Sequence, residues 1–182
     1  MINGIPVKDV LKNQNRIRRI LSHEYTHLLT IRRLKKHPEK RGTPLERALF
    51  STWFEGLGNY YSLSSKWYTP DKTLSKKAAE LLNDLAPVFV DRIIKLSKTS
   101  DNAEEIKLRK GLSAGPFQQK WGAVTTALWL MKDTQCNNLK LKKWIEAGPA
   151  GVLLLAEKYL PNHLKEKLHR AMKKIPENII RH

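Results

Sequence analysis

Ile20-Leu21-Ser22-His23-Glu24-Tyr25-Thr26-His27-Leu28-Leu29 is the stretch on which the reading of this chain turns. Around it Ile17, Ile20, Leu21, Leu28, Ile31 and Leu34 recur about every 3.6 residues, with Arg16, Arg18, Arg19, Arg32 and Arg33 left to water. The rhythm predicts an amphipathic helix over residues 12–36, whose apolar flanks could dry a site. His37-Pro38 ends it, because a residue before proline is pushed out of helical geometry. On such a helix His23 and His27 project from one face, one turn apart, where both imidazoles can reach a single metal ion.

Zinc suits that pair. A catalytic zinc takes three protein ligands, commonly two His and a Glu, and keeps one position open for water. Glu24 follows the first histidine at a spacing that aims it beside that water, as a general base. On these five residues alone, a plain amphipathic helix with two polar histidines stays open as the other reading.

A third ligand is offered by the next helix. Thr43-Pro44-Leu45-Glu46 reads as a capping box with proline at the first helical position, and it opens a helix over residues 44–65. Within its apolar run Glu55 is a lone carboxylate, expensive to bury unless something cationic meets it. Gly56 and Gly58 weaken that helix by about 1 kcal/mol each, which makes sense where a neighbouring helix must come close.

His23-Glu24-Tyr25-Thr26-His27 followed by Trp53-Phe54-Glu55-Gly56-Leu57-Gly58-Asn59-Tyr60 resembles the gluzincin group of zinc metallopeptidases. Their pattern is H-E-x-x-H with a glutamate ligand on the following helix. More narrowly the chain is similar to aminopeptidase-like bacterial zinc peptidases whose second helix reads F-x-E-G-L-A-x-Y. The likeness covers mainly residues 20–61 and extends through Ala114-Gly115-Pro116-Phe117 to about residue 130. It implies His23, His27 and Glu55 as zinc ligands and Glu24 as general base.

Three departures from the pattern bear on the site. Many gluzincins carry aspartate four residues after the ligand glutamate, orienting a ligand histidine; Asn59 stands there and can accept a hydrogen bond without the charge. Gly58 replaces the usual alanine, which reads as a minor change. Where such peptidases often have a tyrosine that stabilises the oxyanion, this chain has Phe117, so Tyr60, with Tyr61 and Tyr68, becomes the candidate transition-state donor. Aromatic residues on helices are more often core.

The rest of the chain reads as helix. Residues 73–98 form an apolar-periodic run, kinked or divided near Pro87. Asp101 opens a short helix ending near Gly111, and residues 117–131 form an amphipathic run with Trp121, Val124, Leu128 and Trp129 as core. Gly148-Pro149, Leu160-Pro161 and Ile175-Pro176 punctuate three more helices. The expectation is an all-α multi-helix bundle, one domain over residues 1–182, with a helical remainder over 73–175 and at most one short strand within Ile2–Val7. Zincin-type peptidases place a twisted sheet before the H-E-x-x-H helix, whereas only 22 residues precede His23 here. The chain therefore resembles the helical C-terminal part of a zincin catalytic domain.

Composition narrows the partners. There are 34 Lys and Arg against 17 Asp and Glu, a net charge of +17, with basic belts at Arg32, Arg33, Lys35, Lys36, Lys40 and Arg41 and at Lys165, Lys167, Arg170, Lys173 and Lys174. Such a balance favours anionic partners. The one cysteine, Cys136, excludes an internal disulfide framework, and its thiol reads as buried or incidental. His163 and His169 read as surface residues. With no signal peptide and no long apolar run, a cytoplasmic location is expected. Two functions compete: a zinc-dependent hydrolase acting on a peptide or protein substrate, and a non-catalytic basic module binding nucleic acid or another anionic partner around a vestigial or structural metal site.

Overall fold

The computed structural model describes residues 7–33 and 42–172, which form eight α-helices and two 3-10 turns. Among them there is no strand, only an isolated antiparallel bridge between Tyr68 and Leu74. The architecture is all-α, as the periodicity predicts. Ile2–Pro6, where a short strand was expected, lies outside the described residues, as do residues 34–41 and 173–182, with most of the first basic belt and Lys173 and Lys174 of the second.

Helix α2 (Pro44–Tyr61) is the central rod and begins as its capping box dictates. Thr43 Oγ1 accepts from the Glu46 N–H at 3.3 Å, Glu46 Oε2 accepts from the Thr43 N–H at 2.6 Å, and Pro44 occupies the first turn. It ends at Tyr61, short of the predicted residue 65, where the Ser62 and Leu63 N–H groups bond to the carbonyls of Asn59 and Tyr60, three residues back, and tighten the last turn. The chain then turns through a 3-10 segment (Ser65–Trp67) that places Trp67 in the core.

Helix α3 (Lys76–Leu96) is capped by Ser75, and it is not divided at Pro87. That proline faces solvent, so the Asn83 carbonyl that loses its partner can turn to water, while Ala86, Phe89 and Val90 hold the other side in the core. Asp101 caps the short α4 (Asn102–Arg109). The predicted run over residues 117–131 is instead a 3-10 turn (Phe117–Gln119) followed by α5 (Ala123–Thr134). Nor is α5 amphipathic: every residue from Ala123 to Met131 is buried, since α2, α3, α6 (Asn138–Glu146) and α7 (Ala150–Tyr159) enclose it. Helix α8 (Asn162–Met172) lies on α3.

One cluster of apolar side chains, centred on Trp129, Phe89, Phe50 and Leu57, draws from α2 to α8. Polar pins hold its edges. Asp133, buried on α5, accepts from Trp144 Nε1 at 2.7 Å and Tyr159 Oη at 2.7 Å and pairs with Lys143 and Lys158. Glu105 on α4 likewise holds Arg47 and Arg109.

The first helix departs most from expectation. Helix α1 (Val7–Arg33) packs on α2, yet none of its described side chains joins the apolar cluster. Its apolar stripe faces outward, with Leu21 62%, Tyr25 61% and Leu28 59% exposed. The face turned to α2 carries His23, Thr26, His27 and Thr30. The expected apolar drying of the site by this stripe therefore does not occur.

Candidate metal centre

The inward face of α1 is polar and short in side-chain reach, which lets two helix backbones come together. Thr26 and Thr30 return their hydroxyl protons to the carbonyls of Ser22 and Thr26, at 2.7 and 2.8 Å, so neither needs a partner across the interface. Opposite them α2 presents glycines. A Cβ at Gly58 would stand 2.7 Å from Cε1 of His23 and 3.0 Å from Cε1 of His27. Gly58 is therefore no neutral substitute for the alanine of the related pattern, because its missing methyl is the space the imidazoles occupy. Gly56, about 200° round the helix, does the same for α5, where a Cβ would meet Thr126 at 2.6 Å.

Through this close approach three ligand atoms converge. His23 Nε2 and His27 Nε2 are 2.9 Å apart, and Glu55 sets Oε2 3.4 Å from the first and Oε1 3.7 Å from the second. Zinc bonds of about 2.0–2.1 Å at tetrahedral angles would separate ligand atoms by about 3.4 Å, so the two carboxylate distances fit and the nitrogen pair is slightly tight. Two imidazole nitrogens this close repel unless a proton or a cation lies between them. The donor set, two nitrogens and a carboxylate, is one that zinc takes.

Surroundings fix the ligands. His27 stacks on Phe54 of α2, centroids 4.0 Å apart and 9° from parallel, and His23 meets His27 edge-on. Burial pushes the Glu55 carboxyl up, and the two adjoining imidazoles more than offset this, holding it down at about 2. Glu55 is thus a carboxylate aimed at two imidazoles. His27 Nδ1 is buried with no hydrogen-bond partner among the described residues, so an ion at Nε2 would find no outer acceptor of the kind that usually fixes a metal-bound histidine.

Comparison with protein-family models, curated proteins and solved structures finds no match to this chain.

Of the three, His23 lines a cleft of about 590 Å³, together with Glu24 and Asn59. Glu24 is exposed at that wall, with access to whatever occupies the cleft. Asn59 does not orient a histidine: its Nδ2 donates to the Glu55 carbonyl at 2.7 Å, one turn back on its own helix, and it bonds neither imidazole among the described hydrogen bonds. Tyr60 points away from the cleft. Its hydroxyl is buried against Thr134 Oγ1 at 2.8 Å, inside the contact between α2 and α5, so it cannot serve as a transition-state donor. Tyr61 and Tyr68 line other hollows. Phe117, read from the sequence as a gap in the machinery, does form part of the cleft, stacked on Trp67 at 4.7 Å. His169 pairs with Glu157 on the surface, and His163 is exposed, as expected; Cys136 is exposed as well.

Sequence reasoning missed the cations of the cleft. Arg16 and Arg19 precede His23 by seven and four residues, the spacing that puts them on its face, and beyond facing water they line the cleft. Lys66 and Lys120 arrive from the far wall, and no local signal connects them to α1.

Proposed function

We propose that the protein is a zinc-dependent peptide hydrolase in which His23, His27 and Glu55 hold the metal and Glu24 is the general base. The observation that carries this reading is the convergence of the three side chains, with their ligand atoms all within 4.8 Å of one another beside an open cleft. A structural zinc is closed by four protein ligands. Among the described residues no fourth histidine, cysteine or carboxylate joins this group, which favours a reactive site over the structural site of the competing non-catalytic module.

When bound, zinc would supply a Lewis acid that polarises the scissile carbonyl and acidifies water. The chain supplies the rest. Glu24 accepts a proton from the attacking water and delivers it to the leaving amine. Phe54 and Gly58 hold the imidazoles in place, and Glu55 keeps its charge between them.

Elemental analysis of the purified protein, beside Glu55→Ala and Glu24→Gln, tests the assignment. One zinc per chain is expected in the wild type, loss in Glu55→Ala, and retained zinc with hydrolysis reduced by a factor of about 100 or more in Glu24→Gln. Wild-type hydrolysis by Glu24→Gln would remove its role as base. No zinc after reconstitution would overturn the centre.

A further inference from the structure

The wall of the cleft beside His23 is charged in one sense. Arg16 and Arg19 from α1 line it together with Lys66 and Lys120, and Glu24 is the one carboxylate that lines it with them. None of the four cations forms an ion pair among the described residues. A larger hollow of about 800 Å³ beside α4 makes the contrast: its Arg47 and Arg109 are both spent on Glu105, as structural arginines are. At His23 the four cations outnumber the one carboxylate beside them, and among the described residues no ion pair neutralises them. The far wall is also held in place, since Lys66 lies over the Trp67 ring at 4.9 Å and Trp67 is buried and stacked on Phe117.

Spacing connects this charge to the reacting centre. Arg19 stands one turn before His23 and Arg16 two turns before it, about 6 and 10 Å along the helix axis. An extended peptide advances about 3.3 Å per residue. A carboxylate about two or three residues from the bond cleaved at His23 therefore lies opposite the guanidinium groups, which bind carboxylates in a bidentate manner.

We infer that this cleft selects peptides carrying a carboxylate about two to three residues from the scissile bond, read by Arg16 and Arg19 with Lys66 and Lys120. The assignment rests on the zinc-peptidase reading of the same site. The carboxylate comes from an acidic side chain or from the peptide's own C-terminus.

Binding and cleavage are measured separately. A fluorescent peptide rich in glutamate, its glutamine counterpart, and C-terminally amidated forms of both are titrated by anisotropy into the zinc-loaded Glu24→Gln protein, with and without Arg19→Gln and Lys120→Gln. The acidic peptide should bind at least tenfold more tightly than the amidated glutamine peptide, lose that advantage in the Arg19→Gln, Lys120→Gln background, and weaken as salt rises. Zinc content should not change in that background. Preference retained after amidation identifies side-chain carboxylates, and preference abolished by amidation identifies the C-terminus.

Equal binding of the amidated glutamine and acidic peptides, or an advantage that survives both substitutions, overturns the inference even where the wild type binds zinc and cleaves peptides. A short oligonucleotide that displaces the acidic peptide at a lower concentration than unlabelled acidic peptide also overturns it, in favour of nucleic acid. Absence of zinc and of cleavage, with peptide binding still dependent on Arg19 and Lys120, overturns the hydrolase alone.

Discussion

Replacing Gly58 by alanine tests the idea that the close approach of α1 and α2 builds the metal centre. The new methyl would stand 2.7 Å from Cε1 and 2.8 Å from Nδ1 of His23, and 3.0 Å from Cε1 of His27. Carbon contacts are comfortable at about 3.5–4.0 Å, so relief requires the rings or the whole of α1 to move by about 0.5–1 Å. Functional constellations tolerate about 0.5 Å. The nitrogen pair at 2.9 Å and the carboxylate at 3.4 and 3.7 Å would spread beyond the reach of one ion.

Zinc affinity should therefore fall about 10- to 100-fold, or about 1.4–2.8 kcal/mol. Helix propensity acts in the opposite direction, favouring alanine by about 1 kcal/mol. Because none of the described side chains of α1 joins the apolar cluster, thermal unfolding of α2 to α8 should change little. Gly56→Ala is the control. Its methyl meets Cγ2 and Cβ of Thr126 at 2.6 and 2.8 Å, so overpacking of about 1–3 kcal/mol falls on the contact between α2 and α5 rather than on the imidazoles. Competition against a chromophoric chelator gives zinc affinity, and circular dichroism gives stability. Unchanged zinc affinity in Gly58→Ala, beside a well-folded variant, would refute the claim that Gly58 sets the spacing of the ligands.

Three further outcomes follow from named contacts. Tyr60→Phe removes the hydrogen bond to Thr134 and should lower stability by about 1–2 kcal/mol with hydrolysis unchanged; a fall in kcat in a stable variant would return Tyr60 to the reaction. Asp133 and Glu105 are carboxyls that the fold holds below the usual carboxylate range: burial pushes Asp133 up, but bonds from Lys158, Tyr159, Trp144 and Lys143 outweigh it, and Arg47 leads the lowering of Glu105. Their stabilisation is present above the unfolded carboxyl pKa of about 4 and is lost as pH falls through the lower folded values. Asp133→Asn should then cost about 1–3 kcal/mol near pH 7 and show a shallower loss in acid, read by urea unfolding across pH; an unaltered slope would dismiss Asp133 as its source. Chelation of metal should speed amide exchange in α1 and leave α2 to α8 protected, because the imidazoles and Glu55 join α1 to α2 without apolar core; uniform exchange with and without metal would show that α1 docks independently of the ion.

Much of the fold was legible because the signals were local. The capping box at Thr43, the Asp101 cap and the Gly148-Pro149 and Leu160-Pro161 breaks each act within a few residues, and each has a counterpart in the structure. The convergence of His23, His27 and Glu55 was legible for a similar reason, since the metal pattern fixes one spacing and a lone carboxylate in an apolar run marks the other. Tertiary consequences were not. Nothing near Tyr60 in sequence announces Thr134, and nothing near Ala123 says that α5 is enclosed by four helices rather than two.

Helix α1 shows why the two kinds of signal part company. Its period marks a helix correctly, but periodicity cannot say which face is buried when a second, polar face has a stronger local reason to be inside. Glu55 in the middle of α2 needs a cationic partner, Gly58 leaves room for two rings, and Thr26 and Thr30 satisfy their own hydroxyls. Those conditions turn His23 and His27 inward and leave Ile17, Leu21 and Leu28 in solvent. A helix selected for packing alone would lie the other way round, because burying three such side chains is worth about 1.5–3 kcal/mol each. The inversion is itself an argument for the site: local rules are broken where the chemistry requires a geometry that packing would not choose.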